Sequence, residues 1–568
     1  MTHGAQEAGA PRSRLETSIL HLWREALGVD AVGVHDTFFG LGGDSLKAVR
    51  LLSSIEEVLG VQVPFGEFLQ APTVAGIAEQ VAALRAGAAP PAPAPPAPVV
   101  ADVSRAPCTH AQERLWFLDQ AGAAGAYNLP LCARIRGPLD ADRLIDALQQ
   151  IVDRHEALRT TFAVEDRGPV QVIAPALAID VERHDLRGHP EPEAEARRIA
   201  ETMTATAFDL ERGPLLRAAL LRIGDADHVL ASALHHIICD GWSHAVILGE
   251  LGELYGGTTP APVETQYADV ARRQRAAEHE TSLEATVAWW AERLADAPAA
   301  LELPADHPRP PVLSAQGATH RSRLSPELSD GVRAYAREAG TTTYVTLVAA
   351  YAALLGRLSG QETVVVGTTT SGRASASLEH AVGFFANTVA LRCELGDEPT
   401  FAQLVAATAA YVRDAIAHDE APFERVVAAL DAARDPSRHP VFQVFFAQAP
   451  PLALPIAGAE PFPVSVPGAR FEIVLTVEDD ADGLTLLWEH STELFETETI
   501  ARMDRQFARL LESALAGPQL PVARLALMDA AERGAAIASG AAVAADQPVG
   551  CLHERFAAQA AGTPDAAA

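Results

Sequence analysis

The segment LHHIICDGWS, residues 234–243, combines side chains that could carry out acid–base chemistry. His235 and His236 are adjacent, and Asp240 and Gly241 follow within five residues. An imidazole titrates near neutral pH and can therefore accept or release a proton there. The run HVLASALHH predicts a strand buried on both faces, in which neighbouring side chains point in opposite directions. Only one of the two imidazoles can then meet a substrate unless the strand breaks, so the other is expected to be structural.

Two other interpretations of the histidine pair follow from the residues alone. A metal site would need further ligands, and no third ligand lies nearby in the sequence. A buried pair that only packs would need no ligand at all. The local pattern leaves both alternatives open beside an acid–base role.

Ser45, in the segment FFGLGGDSLKAV, is a second candidate for chemistry. The glycines before it permit a tight turn, after which Ser45 begins a predicted helix with its hydroxyl exposed. A helix N-terminus favours negative charge, so a phosphate esterified to that hydroxyl would be stabilised. Asp44 or Ser45 could instead serve only as the helix cap. A P-loop is excluded because its lysine is absent.

The region around Ser45 has the pattern of a small helical bundle. Apolar residues at helical spacing predict one helix from Leu15 to Leu27, a second from Ser45 to Leu59, and a third after Thr73. We assign residues 12–86 to this unit. Six prolines between Gly87 and Val99 then predict an extended, semi-rigid tether, and we assign residues 87–106 to it.

Beyond residue 106, predicted strands and helices alternate. Asp140 is the expected cap of an amphipathic helix, and hairpins are expected near residues 160–174 and 471–490. This pattern predicts two mixed α/β lobes, residues 107–280 and 281–527, followed by a linker, residues 528–568.

Composition and charge exclude several classes of partner. The 568 residues include 44 basic and 74 acidic side chains, a net charge of −30, which disfavours nucleic acid and anionic membranes. The five cysteines are scattered and form no CxxC pair, as expected of reduced thiols in a cytoplasmic protein. The first residues lack the apolar core of a secretory signal, and the most apolar helical run, Val345 to Gly356, is too short to span a bilayer.

Two families resemble this chain. The segment FFGLGGDSLKAVRL resembles the attachment motif of peptidyl carrier proteins, in which the serine carries 4′-phosphopantetheine. The motif HHxxxDG resembles the signature of nonribosomal peptide synthetase condensation domains, which are relatives of chloramphenicol acetyltransferase. Seven segments match the condensation family in chain order: THAQERLWFL, RHEALRTTF, LHHIICDGWS, YADVARRQR, VGFFANTVALR, HDEAPFERVV and RDPSRHPVFQ.

The resemblance implies a fold and a reaction. It implies a small all-α four-helix carrier bundle followed by an α/β two-lobed condensation domain of the chloramphenicol acetyltransferase type. The reaction is amide bond formation between a carrier-bound thioester and the amine of an aminoacyl group on a second carrier. The segments are most similar to the subclass that takes an upstream residue of L configuration or glycine.

The resemblance also assigns roles to single residues. It implies that His236 faces the substrate tunnel and that His235 is its inward, structural partner. Asp240 is expected to form an ion pair with an arginine, Arg373 first and Arg159 second. The Gly241 amide could stabilise the oxyanion. Two further residues are weaker expectations: Asn387 as a positioning residue, and Cys239 as a lining residue of the acceptor channel or merely a packing residue.

The implied partners are other aminoacyl or peptidyl carrier proteins and a phosphopantetheinyl transferase that modifies Ser45. The final segment, LHERFAAQAAGTPDAAA, resembles the opening of an adenylation domain, which implies such a domain as the adjacent partner.

Two rival functions are weighed against this interpretation. A GDSL-type hydrolase would use Ser45 as its nucleophile, but it needs a late DxxH pair, and the nearest match is Asp225 to His228 in mid-chain. A catalytically silent recruitment domain of the condensation fold would be expected to have lost catalytic residues, and HHxxxDG is complete here.

Overall fold

The structure is a computed structural model. It describes residues 11–27, 29, 32–36, 38, 41, 51–52, 54–55, 58–61, 63, 68, 71–87, 104–120, 125–165, 168–373, 376–430, 435–449, 454–464, 468–480, 482–545 and 552–562. Elements are numbered below in chain order among these residues. Ser45 and most of the predicted Pro-rich tether lie outside them.

The N-terminal unit is built on helices α1 (Arg14–Leu27) and α2 (Val74–Gly87). Trp23 is fully buried, and its ring lies edge-on to Phe38 with 5.1 Å between centroids. Thr73 caps α2, since its hydroxyl oxygen accepts from the Gly76 amide at 3.0 Å. The predicted first and third helices are therefore confirmed, whereas most of the predicted helix from Ser45 to Leu59 lies outside the described residues.

The first lobe contains a five-stranded sheet in the order β12-β2-β7-β6-β5, where β12 is Ala459–Pro461. It also contains a three-stranded sheet in the order β1-β4-β3. Its strands are β1 (Ser104–Pro107), β2 (Asn128–Arg136), β3 (Thr160–Glu165), β4 (Gly168–Ile173), β5 (Val181–Asp185), β6 (Leu216–Gly224) and β7 (Asp227–His235). Its helices are α3 (His110–Leu118), α4 (Ala141–Arg154), α5 (Pro192–Ala205), α6 (Gly241–Gly256) and α7 (Tyr267–Gln274).

Strand periodicity explains why helices cover both faces of the five-stranded sheet. Along β6, Ala218 and Leu220 face the cluster shared with α4 and α6, whereas Ala219 and Leu221 face the cluster shared with α5. The predicted Asp140 cap is confirmed, because its carboxylate accepts from the Arg143 amide at 3.1 Å. The predicted hairpin is present as the antiparallel pair β3 and β4.

The second lobe contains a six-stranded sheet in the order β10-β9-β11-β13-β14-β8. Its strands are β8 (Gly317–Arg323), β9 (Thr363–Thr370), β10 (Asn387–Glu394), β11 (Val444–Ala449), β13 (Ile473–Asp480) and β14 (Gly483–Ser491). Its helices are α8 (Ala277–Leu294), α9 (Pro326–Glu338), α10 (Thr343–Ser359), α11 (Phe401–Ala417), α12 (Phe423–Ala429) and α13 (Thr497–Ala516). Two helices follow, α14 (Ala530–Ala545) and α15 (Leu552–Gly562).

Helix α10 is the central helix of the second lobe. Thr342 caps its start by accepting from the Val345 amide, and every residue from Val345 to Gly356 is buried. Gly360 ends the helix in the left-handed conformation, with φ of 73°. The predicted helix here is confirmed, as is the hairpin formed by β13 and β14.

Two predicted domain limits differ from the structure. The tether is predicted to reach residue 106, but Ser104–Pro107 already pair with β4, a contact that no local pattern in the sequence SRAP indicates. The boundary at residue 280 falls inside α8, whose Leu283, Val287 and Trp290 are buried in the second lobe's core.

Strand β12 (Ala459–Pro461) belongs to the second lobe by sequence but to the first lobe by pairing. It runs antiparallel to β2, with Glu460 opposite Arg134, and completes the edge of the first lobe's sheet. The edge of β2 would otherwise present unpaired backbone groups, which explains why a remote segment adds there. A single cut at residue 280 therefore does not separate the lobes.

Among the described residues, no single helix has the length and apolarity needed to cross a bilayer. One sharply bent pair of helices, α9 with α10, meets those criteria jointly by length and composition alone.

Candidate active site at the junction of the lobes

The histidine pair lies where β7 ends. The strand stops at His235, and a single 3-10 turn, His236–Ile238, leads to Cys239 and then to α6. The strand therefore breaks between the two histidines. This break separates their environments, as expected if one imidazole serves the site and the other the fold.

The His236 imidazole has a fixed tautomer. Its Nδ1 lies 2.7 Å from the carbonyl oxygen of Cys239, and because that oxygen can only accept, Nδ1 carries the proton. The Nε2 lone pair is thus left for another partner. The ring is half-buried, with its centroid 4.6 Å from that of Phe384. Burial, aided by the positive charge of Arg470, lowers the pKa of His236 to about 4, so the ring is neutral near pH 7.

His235 has the opposite arrangement. Its side chain is 1% exposed, and its Nδ1 accepts a hydrogen bond from the Ile237 amide at 3.1 Å. Its Nε2 therefore carries the proton and lies 3.9 Å from Asp119 Oδ1. Burial lowers the pKa of His235 to about 3 and raises that of Asp119 to about 6. His235 accordingly lies inward, as the family resemblance implied, whereas the motif gives no indication of Asp119.

Asp240 and Arg373 form the ion pair that the resemblance implied. Arg373 Nη1 lies 2.9 Å from Asp240 Oδ2, and both side chains are only 2% exposed. The carboxylate also accepts from the Ser243 amide at 2.8 Å and from the Phe385 and Ala386 amides at 3.0 and 3.2 Å. Each charge thus has several hydrogen-bonding partners, the condition under which a buried pair is tolerated. The pair joins the start of α6 in the first lobe to a second-lobe segment.

Arg159, the second candidate partner of Asp240, lies elsewhere. Its guanidinium donates to the carbonyl oxygen of Ala174 and lies 3.9 Å from Glu156. Of the two arginines considered as partners of Asp240, only Arg373 lies at the site.

Two residues that sequence reasoning missed complete the junction. The Ser243 hydroxyl lies within hydrogen-bonding distance of Asp240, Arg373 and the Gly383 backbone. The Tyr267 hydroxyl donates to the Phe384 carbonyl oxygen at 2.6 Å. Both residues fall inside recognised segments, DGWS and YADVARRQR, but their partners in the second lobe are more than 100 residues away in the chain.

Gly241 is the first residue of α6 and is exposed. A Cβ added there would meet nothing within 4 Å, so open space lies beside its backbone. Asp240 caps the Ser243 amide rather than the Gly241 amide. The Gly241 N–H therefore lies at the positive end of a 16-residue helix.

Cys239 and Asn387 make structural contacts: the first is buried in the core, and the second forms hydrogen bonds to the backbone. The Cys239 side chain is fully buried, so it does not line a channel, and burial raises the pKa of its thiol, which disfavours a thiolate nucleophile. The Asn387 side-chain amide donates to the carbonyl oxygens of Asp419 and Ala421, each at 2.7 Å. In the part of the chain that the structure describes, no group of three metal-binding side chains occurs.

The two-lobed fold and this site define the class of protein. The condensation domain family matches residues 103–535, which is more than half of the chain, and the chain belongs to that family. A second family, the phosphopantetheine attachment site, matches residues 17–81 and thereby includes Ser45. That match replaces the hydrolase interpretation of Ser45. The chain is a carrier and condensation region of the nonribosomal peptide synthetase type.

Relatives support the same assignment. A linear gramicidin synthase from Brevibacillus parabrevis is 38% identical over 97% of this chain, which spans 7% of that protein. Malpibaldin synthetase from Mortierella alpina is 34% identical over 98% of this chain, which spans 10% of that protein. The chain thus corresponds to a small part of much longer relatives.

Solved structures share the fold. A four-domain nonribosomal peptide synthetase, holo-AB3403 bound to AMP and glycine, has a TM-score of 0.69 and 22% identity, covering 76% of this chain and 35% of that one. The X-domain from teicoplanin biosynthesis, in complex with OxyB, has a TM-score of 0.66 and 27% identity, covering 77% of this chain and 98% of that one.

Proposed function

We propose that residues 107–527 catalyse amide bond formation between a donor and an acceptor, each held as a thioester on a carrier protein. The donor is an aminoacyl or peptidyl group, and the acceptor is an aminoacyl group with a free α-amine. The observation that carries this proposal is the His236 ring, which is neutral and half-buried. Cys239 fixes its Nδ1, and no described residue bonds its Nε2.

The bond changes balance within the two substrates. The acceptor amine attacks the donor carbonyl carbon, a C–N bond forms, the C–S bond breaks, and the departing sulfur takes up a proton. An α-amine has a pKa of about 7.7 to 8.0 and must lose protons during the step. His236 Nε2 is the group that accepts a hydrogen bond or a proton from that nitrogen.

The rest of the site holds the reactants and the developing charge. The Gly241 N–H at the start of α6 is the proposed donor to the oxyanion. Asp240 and Arg373 do not touch the substrate in this scheme; they position the turn that carries His236 and Gly241. Orientation can supply effective molarities of about 10⁵ to 10⁸ M, whereas a general base supplies roughly 10²- to 10⁴-fold. Positioning is therefore the larger effect.

Ser45 would hold the cofactor, 4′-phosphopantetheine, which supplies a thiol on a flexible arm when bound. The described part of residues 12–86 fits a carrier unit, since α1 and α2 pack around Trp23 and Phe38. The tether that follows would let the carrier move between partners.

The finer assignments of partner and setting are also proposals. We infer that a phosphopantetheinyl transferase modifies Ser45, that other carrier proteins supply donor or acceptor, and that an adenylation domain lies next to residues 528–568. A cytoplasmic setting is supported by four free thiols among the described residues, Cys108, Cys132, Cys239 and Cys393.

The test is a single-turnover condensation assay with His236→Ala. The variant should lose about 10²- to 10⁴-fold in rate, the contribution typical of a general base, without becoming inert. Its thermal unfolding should match that of the wild type, since the ring is half-buried and makes one hydrogen bond to its own turn. His244→Gln, on the helix that follows, serves as a second histidine control.

One alternative function has a specific observation behind it. The X-domain of similar fold forms a complex with OxyB, so this fold can bind another protein. A recruitment domain would show equal condensation rates for wild type and His236→Ala, which is the result that would favour docking over catalysis.

A further inference from the structure

A cavity of about 910 Å³ lies in the second lobe, away from the histidine pair. It lies at the carboxyl ends of β9 and β11, between the sheet and helices α10 and α11. Thr370, Asp419, Gly340, Arg413 and Ile416 are among its lining residues. Ile416 is 56% exposed, so the cavity opens to solvent beside it.

One chain segment connects the lining of this cavity with the active site. Thr370, the last residue of β9, pairs with Asn387, the first residue of β10. Asn387 donates to the carbonyl oxygen of Asp419, which fixes the cavity wall. From Asn387 the chain passes back through the two amides that bind Asp240 to Phe384, whose ring lies against His236.

The separation between wall and imidazole follows from that path. The His236 and Phe384 ring centroids are 4.6 Å apart, and Phe384 and Asn387 are three residues apart. With at most about 3.6 Å per residue, Asn387 lies no more than about 15 Å from the imidazole. An extended chain of about four residues spans that distance.

The volume of the cavity distinguishes between the two substrates. Pockets that enclose a drug-sized ligand measure about 300 to 1,000 Å³, so 910 Å³ is near the upper end. The acceptor brings a single aminoacyl residue, whose side chain needs far less space. The donor can bring a peptide, and an outer opening lets peptides of different length extend to solvent.

The lining suits a peptide backbone. Thr341, Thr369 and Thr370 supply hydroxyl groups and Asp419 a carboxylate, all of which accept hydrogen bonds from amide N–H groups. Burial raises the pKa of Asp419, as expected of a carboxyl in a partly enclosed wall. Apolar side chains such as Val389 lie beside these groups.

We propose that this cavity binds the peptidyl portion of the donor, upstream of the reacting carbonyl. The inference rests on the proposed condensation activity and extends it, because it makes the second lobe the part that accommodates the growing chain. A donor of about four residues is long enough to enter the cavity, whereas the residue at the reacting carbonyl lies beside His236, which is not among the lining residues.

The experiment uses the full chain loaded on Ser45 with N-acetyl-alanyl or N-acetyl-tetraalanyl donor, and a separately loaded glycyl carrier as acceptor. Ala409→Trp fills the cavity from α11, and Ile416→Trp obstructs its exposed mouth with little risk to folding. The matched control is Ala406→Trp, on the same helix, exposed and outside the lining.

The two cavity variants should slow condensation of the tetrapeptidyl donor at least about tenfold, because the peptide is then misplaced. They should leave the rate with the aminoacyl donor unchanged. The control should leave both donors unchanged. Equal slowing of both donors, no slowing of either, or slowing that depends on the size of the acceptor would overturn the inference. If wild type forms no amide from either donor, the proposed function itself fails.

Discussion

At the scale of single residues, two hydrogen bonds assign the adjacent histidines to different tasks. His235 Nδ1 accepts from the Ile237 amide, whereas His236 Nδ1 donates to the Cys239 carbonyl oxygen. The two rings therefore carry their protons on different nitrogens. Only His236 retains a lone pair on the nitrogen remote from its own turn, which is the arrangement that an acceptor of amine protons requires.

The pH dependence of the reaction follows from the low pKa of His236. Because that pKa is about 4, the ring stays neutral throughout the range from about pH 6 to 9. The acceptor amine, with a pKa of about 7.7 to 8.0, should then limit the rate, which rises with pH until the amine is unprotonated. Single-turnover rates measured across this range test the expectation.

The control for that pH profile is His236→Ala. It should show a lower rate at every pH with the same upward slope, because the titrating group is the substrate. An additional titration near an ordinary histidine pKa of about 6.5, present in wild type and absent from the variant, would contradict the low pKa of His236.

At the scale of elements, the N-terminus of α6 is held to the second lobe through one carboxylate. Asp240 accepts from Arg373 and from the amides of Ser243, Phe385 and Ala386. The same residue is the cap of α6. The start of this helix, the turn that carries His236 and the junction of the lobes therefore all depend on a single side chain. These contacts give the carboxylate a structural role at that place.

Breaking the ion pair should destabilise the protein strongly. Asp240→Asn or Arg373→Gln alone leaves a buried charge without its partner, and we expect a loss of about 3 to 5 kcal/mol in unfolding free energy. The double variant should lose less than the sum of the single losses, with a coupling of about 1 to 3 kcal/mol. Denaturant unfolding of the four proteins measures this, and strictly additive losses would refute the direct pair.

Local pattern predicted much of the element scale. The caps at Asp140 and Thr73, the helix α10 and the hairpin of β13 and β14 follow from residues close together in sequence. The pairing of β12 with β2 did not follow, because a three-residue strand cannot encode a partner more than 300 positions away.

The candidate site, too, was predicted only where its residues lie in a recognisable motif. The histidine pair and the Asp240–Arg373 pair follow from the motif and the family resemblance. Ser243, Tyr267 and Asp119 do not, since their roles consist of contacts between segments that only the folded chain brings together. The channel role considered for Cys239 was wrong, because a small apolar thiol fits equally well in a core and only its burial decides.

At the scale of the whole molecule, buried neutral imidazoles make stability depend on pH. Burial lowers the pKa of His244 to about 4 and that of His439 to about 4, against an ordinary value of 6.5. The unfolded chain therefore binds more protons than the folded chain between about pH 4 and 6.5. The free energy of unfolding should fall as the pH decreases through that window.

Thermal unfolding at several pH values checks the direction of this change. His244→Gln should reduce the slope between about pH 4 and 6.5 relative to wild type, because one buried titrating group is removed. Ala406→Trp, which adds no titrating group, should retain the wild-type slope. A variant and wild type with identical slopes would exclude His244 as a source of the effect.

The carrier unit has its own test, which does not depend on condensation. Incubation with coenzyme A and a phosphopantetheinyl transferase should increase the intact mass by a single arm, and Ser45→Ala should gain nothing. Ser53→Ala, in the same predicted helical unit, should be modified like wild type. Modification of Ser45→Ala would show that another hydroxyl is the acceptor.

The short strand β12 also affects how such enzymes can be recombined. Ala459–Pro461 pair with β2 at the edge of the first lobe's sheet. A chimera that exchanges lobes at residue 280 would therefore take β2 from one parent and β12 from the other. The mismatched edge would expose backbone groups to neighbouring molecules and favour aggregation. Chimeras that take β2 and β12 from the same parent should therefore stay soluble, whereas chimeras joined at residue 280 should aggregate.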